Sequence, residues 1–218
     1  MDKKTILRKL RGGLIVSSQA PDNSPLCSTG VLGAMAVASS EAGARGLRLN
    51  SPAVIAYVRR RVKVPIIGLY KDYGYEVYIT PTFPHAAKIA KAGADIIAVD
   101  ATFRRKDLKE FIARLHGELG TLVAADVSNA AEGERAFECG ADMAGSTLSG
   151  YVGVRKPPEG PDIMLVSALV KLGAGPVMAE GRYSTPEQVR KAFKAGAHCV
   201  CVGTAITRPD VLTKAFLP

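Results

Sequence analysis

Aromatic side chains are scarce in this chain, at 6% of 218 residues, and histidine occurs three times. His85, His116 and His198 are scattered without a spacing that would ligate a metal. The two tight basic clusters, Arg59-Arg60-Arg61 and Arg104-Arg105-Lys106, carry no interleaved aromatics of the kind that stack on nucleic-acid bases. No apolar run reaches the ~18 residues of a transmembrane helix. No Gly-x-x-x-x-Gly-Lys-Ser/Thr segment is present, so a nucleoside triphosphate is not implied. The basic start, Met1 to Leu10, lacks the apolar core and small-residue cleavage site of a signal peptide; it reads as a short amphipathic cap helix using Ile6, Leu7 and Leu10. There are four cysteines, and Cys199-Val-Cys201 is too closely spaced for a zinc knuckle. They read as core filler in a protein of the reducing cytoplasm.

What is present is a large apolar fraction, 47%, with a net charge of +9 and a pI near 9.5. That fraction supports a full core and argues against disorder, and the length suits one α/β barrel over residues 1–218. The basic residues are spread along the chain, as on solvated helix faces. The charge also suits an anionic partner, a phosphate ester or a nucleic acid.

A repeat organises the chain. Ala42-Gly-Ala44, Ala92-Gly-Ala94, Cys139-Gly-Ala141 and Ala195-Gly-Ala197 recur about fifty residues apart, each after a helical pattern and before a strand-like run. Further apolar runs lie between them, so each repeat spans two βα units. Four repeats give eight strands, the number in a (β/α)8 barrel. The strands are expected at 13–18, 46–49, 66–70, 96–99, 122–125, 143–146, 177–179 and 199–202. The helices between and after them fall at 30–42, 52–61, 84–92, 106–119, 130–138, 162–172, 185–195 and 209–216. A doubly wound open sheet is the structural rival; even spacing and strand count favour closure.

The stretch from Pro176 to Gln188 shows where chemistry belongs. An apolar run breaks at a lone carboxylate, Glu180, and Ser184-Thr185-Pro186-Glu187 then reads as a helix start. In parallel α/β folds that end of the strand carries the active site. The first polar residues at the other strand ends are Gln19, Arg48 with Asn50, Lys71 with Asp72, Asp100, Asp126, Thr147 with Ser149, and Gly203 with Thr204. Converging on one mouth, they suit acid–base work on a polar substrate. Gly181 and Arg182 after the seventh strand, with Gly203 and Thr204 after the eighth, suit a phosphate held by backbone N–H groups. Asp100 reads as structural. Asp126 has a possible structural role as a helix cap, Arg48 as its ion-pair partner, and Tyr151 and Tyr183 border the sugar or pack.

Several segments together resemble the N-acetylmannosamine-6-phosphate 2-epimerases. They are Arg11 to Ala20, Gly46-Leu-Arg-Leu-Asn50, Pro65 to Lys71, Asp95 to Thr102, Ala125-Asp-Val-Ser128, Thr147-Leu-Ser-Gly-Tyr151, Ala179-Glu-Gly-Arg-Tyr183 and Gly203 to Arg208. The match runs in order along nearly the whole chain. The resemblance implies a cofactor-free, metal-free (β/α)8 homodimer of sialic-acid catabolism, with no membrane or nucleic-acid partner. Such an enzyme interconverts N-acetylmannosamine 6-phosphate and N-acetylglucosamine 6-phosphate. It also implies that Lys71 and Glu180 transfer protons, that Arg48, Asp126 and Gln19 orient the sugar, and that Gly181, Arg182, Gly203 and Thr204 hold the phosphate. Two departures stand out: Ser18 replaces a frequent Cys, and Tyr70-Lys71-Asp72 replaces a more usual aliphatic-Lys-Arg.

The residue types fit that reaction. In the open-chain sugar C2 lies beside the C1 aldehyde, so its proton can be removed to give an enolate. Inversion then needs a proton returned on the other face. A neutral Lys71 accepting and a protonated Glu180 donating would serve, each with a shifted pKa. Arg48 could stabilise the enolate oxygen, and Asp126 could hold the Lys71 ammonium or assist ring opening. Three other readings share part of this pattern. A pentose-phosphate epimerase would bring a His/Asp metal set that this sequence lacks, whereas a thiazole- or thiamine-phosphate synthase would share the phosphate loops. A basic RNA-binding module would not depend on Glu180. A structural or regulatory protein would leave the strand-end polar set without a purpose.

Overall fold

The computed structural model describes residues 2–152 and 159–217. Its elements follow one another as α1 (Lys3–Leu10), β1 (Gly13–Ser18), α2 (Thr29–Glu41), β2 (Gly46–Asn50), α3 (Pro52–Arg59), β3 (Ile66–Leu69), α4 (Phe83–Lys91), β4 (Ile96–Asp100), α5 (Leu108–Leu119), β5 (Leu122–Asp126), α6 (Ala130–Glu138) and β6 (Met143–Gly145). A 3-10 turn (Ser146–Leu148) comes next, then α7 (Ile163–Lys171), β7 (Val177–Glu180), α8 (Pro186–Lys194), β8 (Cys199–Val202), α9 (Thr204–Thr207) and α10 (Pro209–Lys214). Each strand pairs in parallel with the next, and β1 pairs with β8, closing the (β/α)8 barrel.

Local signals explain the alternation. Gly43, Gly93, Gly140 and Gly196 take φ near +100° (105, 105, 97 and 95°) one residue past the helix C-caps. That left-handed turn ends each helix and sends the chain back into a strand. Side-chain caps at Ser28, Ser51, Asn129, Asp162 and Thr185 start helices, and Thr185 with Gln188 forms a full capping box.

Alternate strand residues face opposite sides. Ile15, Ile67, Leu69, Ile96, Ala98, Leu122, Ala124, Met143, Met178, Cys199 and Cys201 pack together, and Ile6 and Leu10 of α1 join them. The intervening residues, such as Val16, Leu47, Val99, Val123 and Val200, pack against the helices. Cys199 and Cys201 are thus the core filler expected of them. His198 Nε2 lies 2.8 Å from the Leu7 carbonyl, tying α1 to the start of β8. The cap helix therefore sits at the N-terminal end, leaving the C-terminal mouth open.

Four strands run one residue longer than expected. Asn50, Asp100, Asp126 and Glu180 are the last residues of their strands rather than the first beyond them, because ladder pairing continues through them. The third strand stops at Leu69 because Tyr70 and Lys71 leave the sheet for a turn-back in which Lys71 bridges Ile79. The sixth stops at Gly145, and Ser146 opens the 3-10 turn. A short α9 precedes the expected helix at Pro209, which ends at Lys214.

Candidate active site

The strand ends surround a cavity of about 640 Å³ whose walls include Gln19, Arg48, Lys71, Thr147, Glu180, Gly181, Arg182, Tyr183, Cys201, Gly203 and Thr204. Eight of the nine residues singled out from sequence line it. The ninth, Asp126, is fully buried beneath the wall and reaches the cavity through its neighbours.

Arg48 is the hub. It is 1% exposed, on the inward face of β2. Its Nη2 donates to Asp126 Oδ2 at 2.6 Å, and its Nε lies 3.2 Å from Glu180 Oε2. Nε and Nη1 are buried without a hydrogen-bond partner, and such orphan donors beside a cavity suit an anionic oxygen. Burial disfavours the charge on this guanidinium, but Asp126 and then the Glu180 side chain outweigh it and keep Arg48 charged.

Lys71 follows β3. Its backbone N–H donates to the Asn50 side chain at 3.0 Å, and the turn-back from Tyr70 to Thr80 closes through a 2.7 Å Thr80 N–H to Tyr70 carbonyl bond. Burial, with the positive Arg48 next, pushes the Lys71 pKa down; Glu180, Asp126 and Asp22 oppose this. Asp72 instead points to His85, 3.5 Å away, so the acid beside Lys71 in sequence is not a main influence on its charge.

Glu180 ends β7, on the far side of the barrel from β3: three strands lie between them in each direction around the eight-strand ring. Ser146 fixes its backbone, with Oγ accepting from Glu180 N–H at 3.0 Å and donating to its carbonyl at 2.8 Å. Burial pushes the Glu180 pKa up; Arg48 opposes this and Asp126 reinforces it. Cys201, its register partner on β8, is a buried thiol pushed well above its usual pKa, first by burial and then by Glu180.

Three further groups belong to this site: Thr147, expected at the mouth but without a role, Tyr183, expected to border the sugar or pack, and Tyr78, which the sequence did not single out. Thr147 Oγ1 lies 2.7 Å from Asp126 Oδ1 and 3.1 Å from Glu180 Oε2. Tyr183 is buried, with its hydroxyl lacking a hydrogen-bond partner, and the Tyr78 phenol at the wall is pushed up to about 12, mainly by burial. Thr147 carries a signal in the sequence, a polar atom two residues beyond an apolar strand; Tyr183, three residues past β7, and Tyr78, in the turn-back after β3, are brought to the cavity only by barrel closure. Tyr151 stands at the rim, 60% exposed. Asp100 accepts from Thr102 and Arg104 instead of entering the cavity, consistent with a structural role. Ser18 donates to the Leu32 carbonyl and so faces α2.

At the β7 and β8 ends, Gly181 and Arg182 take φ of +112° and +59°. Gly203 lies against Ser17: a Cβ on it would meet the Ser17 Cβ at 3.3 Å. The Arg182 guanidinium donates to the Gly160 and Ser149 carbonyls, both at 2.7 Å, so it also ties the backbone at these two residues to the end of β7. Gln19 donates to Ser17 Oγ at 2.8 Å, leaving its buried Oε1 without a partner. Among the described residues no group of three His, Cys, Asp or Glu side chains is placed to hold a metal, and no helix is long and apolar enough to cross a membrane.

Comparison with known proteins gives a consistent result. Residues 32–218 match the family model NanE, described as "Putative N-acetylmannosamine-6-phosphate epimerase". A Cutibacterium acnes protein named "Putative N-acetylmannosamine-6-phosphate 2-epimerase" is 42% identical over 97% of this chain and 95% of its own. One of the same name from Thermosynechococcus vestitus is 44% identical over 96% and 93%. A solved N-acetylmannosamine-6-phosphate 2-epimerase from Clostridium perfringens superposes with a TM-score of 0.91 at 38% identity, covering 96% of this chain and 94% of that one.

Proposed function

The chain belongs to the NanE family of N-acetylmannosamine-6-phosphate epimerases, and we propose that it interconverts N-acetylmannosamine 6-phosphate and N-acetylglucosamine 6-phosphate by moving a proton at C2. The observation that carries this reading is a pair of oppositely perturbed groups on opposite barrel walls. Lys71 is shifted toward its neutral form and Glu180 toward its protonated form, and Arg48, 3.2 Å from Glu180, acts on both. A sugar carbon held between the two walls presents one face to each.

In this reading the uncharged Lys71 amine takes the C2 proton, made acidic by the C1 aldehyde, and the Glu180 carboxyl delivers a proton to the opposite face. The orphan Arg48 donors stabilise the enolate oxygen, and Asp126 holds Arg48 in place. Gln19 Oε1 accepts from a sugar hydroxyl or the acetamido N–H. The backbone N–H groups of Gly181, Gly203 and Thr204, with Arg182 at the rim, take the phosphate. No cofactor enters this scheme.

The wider setting follows from the same assignment: residues 1–218 act as one catalytic domain in the cytoplasm, in sialic-acid catabolism. A homodimer is part of the proposal, supported by exposed apolar side chains near the C-terminus, where Phe216 is 88% and Leu217 65% exposed. The test is conversion of purified N-acetylmannosamine 6-phosphate by the protein and by its Lys71→Ala and Glu180→Gln forms. Each variant should lose roughly 10²- to 10⁴-fold in kcat. Turnover of a different sugar phosphate alone, or near-native activity in either variant, would sink the reading.

A further inference from the structure

Thr147 lies between two carboxyl groups, and a hydroxyl has one hydrogen to give. Its Oγ1 lies 2.7 Å from Asp126 Oδ1 and 3.1 Å from Glu180 Oε2. If both carboxyls were ionised, one of these contacts would be an oxygen–oxygen repulsion inside the protein. Asp126 already has the marks of an ionised group: Arg48 donates to its Oδ2 at 2.6 Å, and the shorter Thr147 contact falls on its other oxygen. The Thr147 hydrogen therefore points at Asp126, leaving the hydroxyl oxygen free to accept.

We propose that Thr147 is a positioning residue that holds a proton on Glu180: Glu180 Oε2–H donates to Thr147 Oγ1, whose own hydrogen donates to Asp126 Oδ1. The charges around the bridge agree. Facing Glu180 are Arg48 from β2, Lys71 beyond β3, Asp126 from β5 and the protonated Cys201 thiol from β8. Beyond Asp126 lie Asp100 and the Tyr78 phenol. With Arg48 charged, Asp126 ionised, Lys71 neutral and Glu180 protonated, the four central groups sum to zero. Moving the proton from Glu180 to Lys71 through the substrate leaves that sum unchanged, so the transfer adds no net charge to the buried site. A Thr147 that donated to Glu180 would pull this carboxyl toward its ionised form; as acceptor it does the reverse. The catalytic consequence rests on Glu180 being the proton donor to C2. The hydrogen-bond direction does not, and it can be tested without substrate.

Infrared difference spectroscopy on the whole protein at neutral pH reads the proton directly. Replacing Glu180→Gln should remove one protonated-carboxyl C=O band. Replacing Thr147→Val should move that band to higher frequency, because the acid loses its acceptor, and Thr147→Ser should leave it in place. No band sensitive to Glu180→Gln, or a band unmoved by Thr147→Val, overturns the proposal. In turnover, Thr147→Val should lower kcat by about ten- to hundredfold with KM within about twofold, and Thr147→Ser should recover most of it. The alkaline limb of kcat, where Glu180 loses its proton, should move to lower pH in Thr147→Val; a move to higher pH would mark Thr147 as the donor. Loss of activity on the sugar phosphates with the infrared pattern intact would instead sink the assigned reaction alone.

Discussion

Arg48→Met makes the sharpest test of the electrostatic design. The substitution keeps an unbranched apolar stem but removes a guanidinium that is 1% exposed and lies 2.6 Å from Asp126 and 3.2 Å from Glu180. Removing one partner of a buried ion pair costs about 3–5 kcal/mol, because the other is left charged and dry. A kilocalorie shifts the melting temperature of a chain this size by about 2–4 °C, so a fall of roughly 6–20 °C is expected at pH 8. Glu180 has an escape, which is to keep its proton: burial already pushes it above the ordinary carboxyl value, Arg48 holds it down, and without Arg48 it rises further. Such a group favours the fold while protonated, and that contribution disappears as pH climbs through the folded pKa. The stability deficit of Arg48→Met should therefore be small near pH 5 and grow toward pH 8. Thermal melts of both proteins across that range would measure it. A deficit constant with pH would show that Arg48 contributes packing, not charge, and would refute the reasoning.

Lys71→Arg should be as inactive as Lys71→Ala, since a guanidinium stays protonated and cannot serve as base; assays at several pH values would show any recovery. The wild-type kcat profile should be bell-shaped, its acid limb set by Lys71 gaining a proton as pH falls and its alkaline limb by Glu180 losing one as pH rises. Arg182→Ala should raise KM for the phosphorylated sugar at least about tenfold, a loss of ~1.4 kcal/mol, through the lost phosphate contact and the lost ties to the Ser149 and Gly160 carbonyls. Leu10→Ala should cost about 2–5 kcal/mol in denaturation while kcat holds, because this fully buried side chain plugs the end of the barrel opposite the site.

The barrel was legible because its signals are local. Glycine past each helix end, proline at several helix starts and apolar runs between them fix the element count without any long-range information. The positions of Lys71 and Glu180 could be read for a similar reason: a charge ending an apolar strand is conspicuous. Thr147 and Tyr183 were harder, since a hydroxyl after a strand is common in turns and caps. What makes Thr147 special is its place between residues 126 and 180, set by the adjacency of β5, β6 and β7. Asp126 showed the reverse. The family resemblance implied a sugar-orienting group and the residues themselves a helix cap or a partner for Arg48; the structure shows the Arg48 pair, with Asn129 capping the helix and Arg48 and Thr147 occupying both Asp126 oxygens below the cavity wall. The Lys71–Ile79 bridge was missed because it lies in a turn-back with no hairpin signature of its own.

Proton NMR of N-acetylmannosamine 6-phosphate turned over in D₂O tests the central claim, that a proton leaves C2 on one face and another arrives on the opposite face. N-acetylglucosamine 6-phosphate should form with deuterium at C2, and neither label nor product should appear with Lys71→Ala. Full conversion with the original C2 proton retained would contradict that claim.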